Sequence, residues 1–194
     1  MMLKVGLTGN IGSGKSMVSS IFRMLSIPVF DADLESKNIL TTEKVKQQIR
    51  SFFGSEIFDS GEINRKMLAA VVFKDKERLK QLTNIIHPAV RNAFEIWMAQ
   101  QKDSPYLIYE AAILIETGFH KQLDQIIMVS ADKELRISRV MKRDNSTRTQ
   151  VIQRMANQWE EERKIPYADY MIQNNEDDLL IPQVIDIHKR IIAG

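Results

Sequence analysis

The chain of 194 residues has no cysteine, so neither a disulfide framework nor a thiolate metal site can be built from it. Charge of either sign is not in excess. A formal net charge of +2 gives no basis for nucleic acid or a membrane surface as the main partner. No stretch of about 18 apolar residues is present, and the apolar run after Lys4 meets Gly9 too soon for a signal-peptide core. A cytoplasmic protein is therefore expected. Internal repeats and low-complexity segments are also lacking. What remains, 44% hydrophobic and 27% charged residues, suits one α/β domain with a buried core and room for a small insertion.

The pattern along the chain begins with a short apolar strand, LKVGLT at residues 3–8. Met17, Val18, Ile21, Phe22 and Leu25 then recur at helical spacing, and IPVF at 27–30 reads as a second strand ending at Asp31. This strand–loop–helix–strand unit opens a parallel α/β sheet. Residues 34–101 read as helical almost throughout. Asn64 and Asp75 are candidate helix caps, and His87-Pro88 is expected to end one helix and start another. Strands return at 106–109, 125–129 and 169–172, separated by a charged stretch at 132–163, and a last helix covers about 178–192. The pattern describes a core interrupted by a helical subdomain.

Between the first strand and helix stands GNIGSGKS, residues 9–16, a match to G-x-x-x-x-G-K-[ST]. Gly9, Gly12 and Gly14 permit a backbone whose N–H groups converge on phosphate oxygens, and the helix that follows adds its positive end. Lys15 supplies a point charge to the β- and γ-phosphates, and the Ser16 hydroxyl can ligand Mg²⁺. The strand before and the helix after are the context this motif needs. The nucleotide-binding stretch thus runs Gly9, Asn10, Ile11, Gly12, Ser13, Gly14, Lys15, Ser16 and Met17, with ATP and Mg²⁺ as the implied ligands.

A nucleotide loop alone does not separate a switch, a motor and a kinase. No N-K-x-D tetrapeptide occurs, which removes the guanine-reading loop of a GTPase. A kinase also needs an acceptor-side carboxylate, an acceptor-binding subdomain and arginines over the transferring phosphate. Asp31 and Asp33 follow the second strand, where strand ends line a ligand crevice. One could stand near Mg²⁺ and the other accept a hydroxyl proton; either could equally cap the next helix. Glu110, ending a strand, is placed to reach Mg²⁺ through a water, or is simply a polar residue at a strand exit. Arg139 and Arg143 are four apart and share one helix face, as in a lid or in any solvated helix. His87 could donate to an acceptor phosphate or serve as a structural hydrogen-bonder, and Glu116 is a second acid beyond Glu110.

Taken in order, GLTGNIGSGKS, FDAD (30–33), G-x-I-x-R (61–65), IIHPAVR (85–91), ILIE (113–116), R-x-x-x-R (139–143), RMANQ (154–158) and ADYMIQNN (168–175) resemble the dephospho-CoA kinases. The resemblance runs from the first strand to the end of the last. It implies a three-layer P-loop kinase fold with a parallel five-stranded sheet, a helical acceptor-binding insertion and a helical lid. The core would be residues 1–33 and 104–194, the insertion about 34–103 and the lid about 136–163. It implies ATP-dependent phosphorylation of the ribose 3′-hydroxyl of dephospho-CoA, the last step of coenzyme A synthesis. Asp33 falls at the general base and Arg139 at the lid arginine, with Lys15 as the third catalytic group. Arg65, His87 and Arg91 fall on the acceptor side, with Glu116 beside them, while Arg143 and Asn175 join the ATP site, Asn175 near adenine. Only small molecules, ATP and dephospho-CoA, are expected as partners of a monomer or weak homo-oligomer. Ala112-Ile113-Leu114 departs from the usual P-L-L, Asn10 replaces a frequent glycine, and Met17 a frequent threonine. The rival readings are a nucleoside monophosphate kinase, which needs no base and leaves Asp33 unexplained, and a non-catalytic ATP-binding switch.

Overall fold

The computed structural model describes residues 2–72, 75–101 and 103–194. Two compact units emerge: Met1–Asp31 with Gln101–Gly194, and Ala32–Gln100.

The first unit is built on a parallel sheet in the order β2-β5-β1-β6-β7, formed by β1 (Leu3–Thr8), β2 (Val29–Asp31), β5 (Tyr106–Glu110), β6 (Gln125–Ser130) and β7 (Tyr170–Gln173). Parallel strands must be covered by other elements, so they read as continuous apolar runs, and every residue of β5 is buried. Helices α1 (Lys15–Met24) and α9 (Leu180–Ala193) pack together over the sheet. Their stripes, Val18, Ile21 and Phe22 on α1 and Val184, Ile187 and Ile191 on α9, join Val5, Leu7, Ile108, Ile127 and Ile172 in one core cluster. Inside it Tyr106 Oη meets His188 Nδ1 at 2.8 Å, which satisfies a hydroxyl whose pKa burial pushes up. The charged stretch folds as α6 (Lys133–Asp144), α7 (Arg148–Met155) and the short α8 (Glu161–Lys164). Ile137, Val140 and Val151 make its small core, on which Ile11 of the glycine-rich loop rests.

The second unit holds α2 (Ala32–Ile39), α3 (Glu43–Phe53), α4 (Arg65–Val72) and α5 (Lys76–Met98), with the first three packed on α5. Asn64 and Asp75 act as expected. Asn64 Oδ1 accepts from Lys66 and Met67 N–H, and Asp75 Oδ1 from Glu77 and Arg78 N–H.

Two expectations are corrected here. Pro88 does not divide the helix: α5 runs 23 residues through it. The missing N–H leaves the Asn84 carbonyl without its helical partner, but Asn84 and Pro88 both face solvent, where water can serve that oxygen. Ile85, Ile86, Val90 and Phe94 are buried on either side of the interruption. At about 1.5–3 kcal/mol each, their burial outweighs a proline cost of about 3 kcal/mol. The insertion is also not purely helical. A hairpin, β3 (Phe58–Asp59) with β4 (Glu62–Ile63), turns at Ser60 (φ 50°) and Gly61 (φ 87°), a two-residue loop with both residues left-handed. Arg50 lies over the Phe58 ring at 4.4 Å, and Lys46 pairs with Glu62 at 2.5 Å, which fixes the hairpin to α3.

Candidate active site

The carboxyl end of β1 leads directly into residues 9–16, and the chain there is shaped by glycine. Gly12 (φ 82°) and Gly14 (φ 99°) hold conformations that side chains rarely adopt. Neither position has room for one: a Cβ on Gly12 would stand 2.6 Å from the Arg136 carbonyl oxygen, and one on Gly14 would collide with Asn174 Nδ2. Ser13 N–H closes a tight turn onto Asn10 O at 3.0 Å, and Gly14 is the residue from which α1 begins. Lys15 Nζ donates to Gly9 O at 3.0 Å, which folds the ammonium over the loop. Ser16 and Met17 are exposed at the head of α1.

The loop is braced from outside at three points. Asn174 Nδ2 donates to Ser13 O at 2.7 Å, Gln158 Oε1 accepts from Ile11 N–H at 2.8 Å, and Asn10 Nδ2 donates to Trp159 O at 2.9 Å. Sequence singles out none of Asn174, Gln158 and Trp159 for a role, although ADYMIQNN and RMANQ contain the first two. Partners 147 to 161 residues away leave no local signal.

Beside the loop opens a cavity of about 1010 Å³, lined by Ser16, Met17, Arg139 and Asn175 together with Met24, Leu179 and Ile181. Three of the expected nucleotide residues thus meet Arg139 around one space. Asn175 is fixed there by two bonds: its Oδ1 accepts from Asp132 N–H at 2.9 Å, and its N–H donates to Asp178 Oδ2 at 2.8 Å. Arg139 Nη1 is buried and has no hydrogen-bond acceptor among the described residues. Arg143 behaves differently from its neighbour one turn back. It does not line this cavity, and its Nε donates to Asp144 Oδ1 at 2.7 Å. Asp144 also takes Arg154 at 2.5 Å, and the two guanidiniums hold its carboxyl far below the usual range.

On the other side of β1, Asp31 and Glu110 are register partners at the ends of β2 and β5. Glu110 is buried and accepts from Ser19 Oγ at 2.6 Å. Burial raises its pKa, the Ser19 bond opposes this, and the Asp31 charge raises it further. Among the described residues no group of three or more histidine, cysteine or acidic side chains could hold a metal alone. Glu116 forms an ion pair with the wholly buried Lys164 at 2.6 Å and accepts from Trp159 N–H at 3.1 Å. One carboxylate oxygen, Oε1, thus holds the turn at 158–164, while Oε2 is buried with no hydrogen-bond partner among the described residues.

The second unit carries the remaining candidates. Asp33 lies exposed in the first turn of α2, where the helix dipole favours a negative charge. His87 and Arg91 are one turn apart on α5. Burial lowers the His87 pKa, and the Arg91 charge lowers it further. Arg65, at the start of α4, donates from Nη2 to Lys37 O at 3.0 Å, which ties α4 to α2.

Known proteins resemble this chain throughout its length. The family model described as CoaE, dephospho-CoA kinase, matches residues 3–179. The dephospho-CoA kinase of Bacteroides fragilis is 37% identical over 188 residues, covering 96% of this chain and 92% of the relative. That of Porphyromonas gingivalis is 38% identical over 189 residues, covering 96% and 93%. A crystal structure of a Thermus thermophilus protein superimposes with a TM-score of 0.87 at 31% identity, covering 99% of this chain and 97% of the other. A loop of phosphate-binding form on a parallel five-stranded sheet, matched this fully to named kinases, leaves one conclusion: the chain belongs to the dephospho-CoA kinase family.

Proposed function

We propose that this chain transfers the γ-phosphoryl group of ATP to the ribose 3′-hydroxyl of dephospho-CoA, giving coenzyme A and ADP. The observation that carries the proposal is the family match over residues 3–179, which spans the braced loop, Asp33, His87, Arg139 and Asn175 alike. ATP lies along residues 9–17, with its base in the cavity beside Asn175. Lys15 and the unpartnered Nη1 of Arg139 neutralise charge on the transferring phosphoryl group. Arg143 joins them once released from Asp144. On the acceptor side Asp33 takes the proton of the 3′-hydroxyl, and Arg65, His87 and Arg91 bind the rest of the molecule. The transition state of such a transfer is loose, so most of the catalysis is positioning and charge stabilisation.

Mg²⁺ fits these residues. It keeps several waters and is held through substrate phosphates and one or two protein oxygens, not by an all-protein cage. Ser16 would be a direct ligand, and Asp31 and Glu110 would reach its waters. When bound it neutralises charge shared by the β- and γ-phosphates. A cytoplasmic enzyme meeting only small molecules, as a monomer or weak homo-oligomer, completes the reading.

The test is ADP formation with dephospho-CoA, AMP, CMP and no acceptor, measured in parallel. Dephospho-CoA alone should stimulate it. Stimulation by AMP or CMP but not dephospho-CoA points to a nucleoside monophosphate kinase, and no stimulation by any acceptor points to a switch.

A further inference from the structure

Three segments of the first unit, distant in sequence, meet around Gln158. Its Oε1 accepts from Ile11 N–H at 2.8 Å, and its Nε2 donates to Ala112 O at 3.4 Å. The next residue uses both of its backbone groups. Trp159 O accepts from Asn10 Nδ2 at 2.9 Å, and Trp159 N–H donates to Glu116 Oε1 at 3.1 Å. The same Glu116 oxygen pairs with Lys164 Nζ at 2.6 Å, and Lys164 also reaches Ala112 O at 3.4 Å. Arg163 lies over the Trp159 ring at 3.5 Å.

A lysine with 0% exposure is expensive to bury, so one retained here must be paired, and Glu116 pairs it. What the pair fixes is the turn at 158–159. What that turn touches is the phosphate loop, at Asn10 and Ile11. The loop binds anions through the directions of its N–H groups, and those directions matter only if the peptide planes cannot rotate. Asn174 fixes the far half at Ser13; the near half has Gln158 and Trp159.

We propose that Gln158 is a positioning residue for phosphoryl transfer, seated by the Lys164–Glu116 ion pair and fixing the Asn10–Ile11 half of the phosphate loop for ATP. The lid's C-terminal root and the loop are then one mechanical piece. Glu116 acts on the loop through the turn at 158–159. The assignment rests on the nucleotide half of the function proposed above and not on the identity of the acceptor.

Gln158→Met keeps the length of the side chain and removes both polar atoms. Gln158 is half-buried on a turn, so the variant should fold, and a melting curve verifies that. Calorimetric titration with ADP and with a non-hydrolysable ATP analogue, without acceptor, should show affinity weakened on the order of tenfold, the cost of stranding a loop N–H. The KM for ATP should rise in parallel, while the KM for dephospho-CoA stays within about twofold. Adding Lys164→Met to Gln158→Met should weaken nucleotide binding no further than the worse single variant, because both act through one bridge. If Lys164→Met does not fold, Glu116→Gln replaces it in the cycle. Nucleotide affinity of Gln158→Met within about twofold of the parent overturns the assignment, as does an equal rise in both KM values, which signals general loosening. Failure of the acceptor reading looks different: the parent binds ADP normally but forms none with dephospho-CoA.

Discussion

Asp31 and Glu110 stand side by side at the carboxyl ends of neighbouring parallel strands, register partners on the β2–β5 ladder. Glu110 is the buried member, and Ser19, one turn beyond Lys15 on α1, donates to it at 2.6 Å. A buried acid beside another acid is poorly placed for stability alone. Its folded pKa lies above the usual 4.5, so the stability it contributes is present below 4.5 and lost as pH rises through the folded value. Glu110→Gln keeps an acceptor for Ser19 and removes that loss. The melting temperature of the variant should therefore gain on the parent as pH rises above 4.5 through the folded value. The same variant should need more Mg²⁺ for half-maximal activity. An unchanged Mg²⁺ requirement removes Glu110 from the neighbourhood of the ion.

Asp33→Asn should lower turnover with dephospho-CoA by about 10²–10⁴-fold, the usual worth of a positioned general base. ADP affinity should be unaffected, since the phosphate loop is braced within the other unit. Steady-state kinetics beside calorimetry separate the two effects. Turnover close to the parent's would mean that another group takes the hydroxyl proton.

Gly14→Ala should cost about 1–2 kcal/mol of stability from the left-handed backbone alone. The added methyl also displaces Asn174 from Ser13 O. Nucleotide binding should fall much further than stability does. Titration with ADP and urea unfolding measure the two, and an unaltered ADP affinity would show that the Asn174 brace is not needed.

His87 should titrate below 6.5 by NMR, because burial first and Arg91 second disfavour its cation. The unfolded chain then binds the extra proton between the folded pKa and 6.5. Stability should rise with pH across that interval and be lost as pH falls through the folded value. His87→Gln should flatten this segment of the unfolding profile. At neutral pH the side chain is then a neutral hydrogen-bonding ring, the form in which the proposed acceptor role would use it.

The sheet was legible because its strands are short apolar runs bounded by glycine and acids, and each of the five lies where such a run occurs. The caps at Asn64 and Asp75 were legible for the same local reason. Pro88 misled because the tolerance of a helix for proline depends on which face carries the lost bond, and that is set by tertiary packing. The hairpin at 58–63 did leave a signal, Ser60-Gly61 between two short apolar positions, but it is small beside the helical periodicity around it. At the site, the loop residues announced themselves. Gln158, Asn174 and Lys164 did not, because their meaning lies entirely in partners brought near by the fold.

The order of the sheet also bears on how the chain is made. β1 is synthesised first, yet its two neighbours are β5 and β6, so Leu3 waits for Tyr106 and Val5 for Gln125. The whole second unit leaves the ribosome in the interval, and its helices pack on α5, which is itself complete before β5 is made. The loop that opens the sequence is therefore among the last parts to take shape, since its braces come from residues 158–174. A chain halted anywhere before them carries the motif without the side chains that brace it.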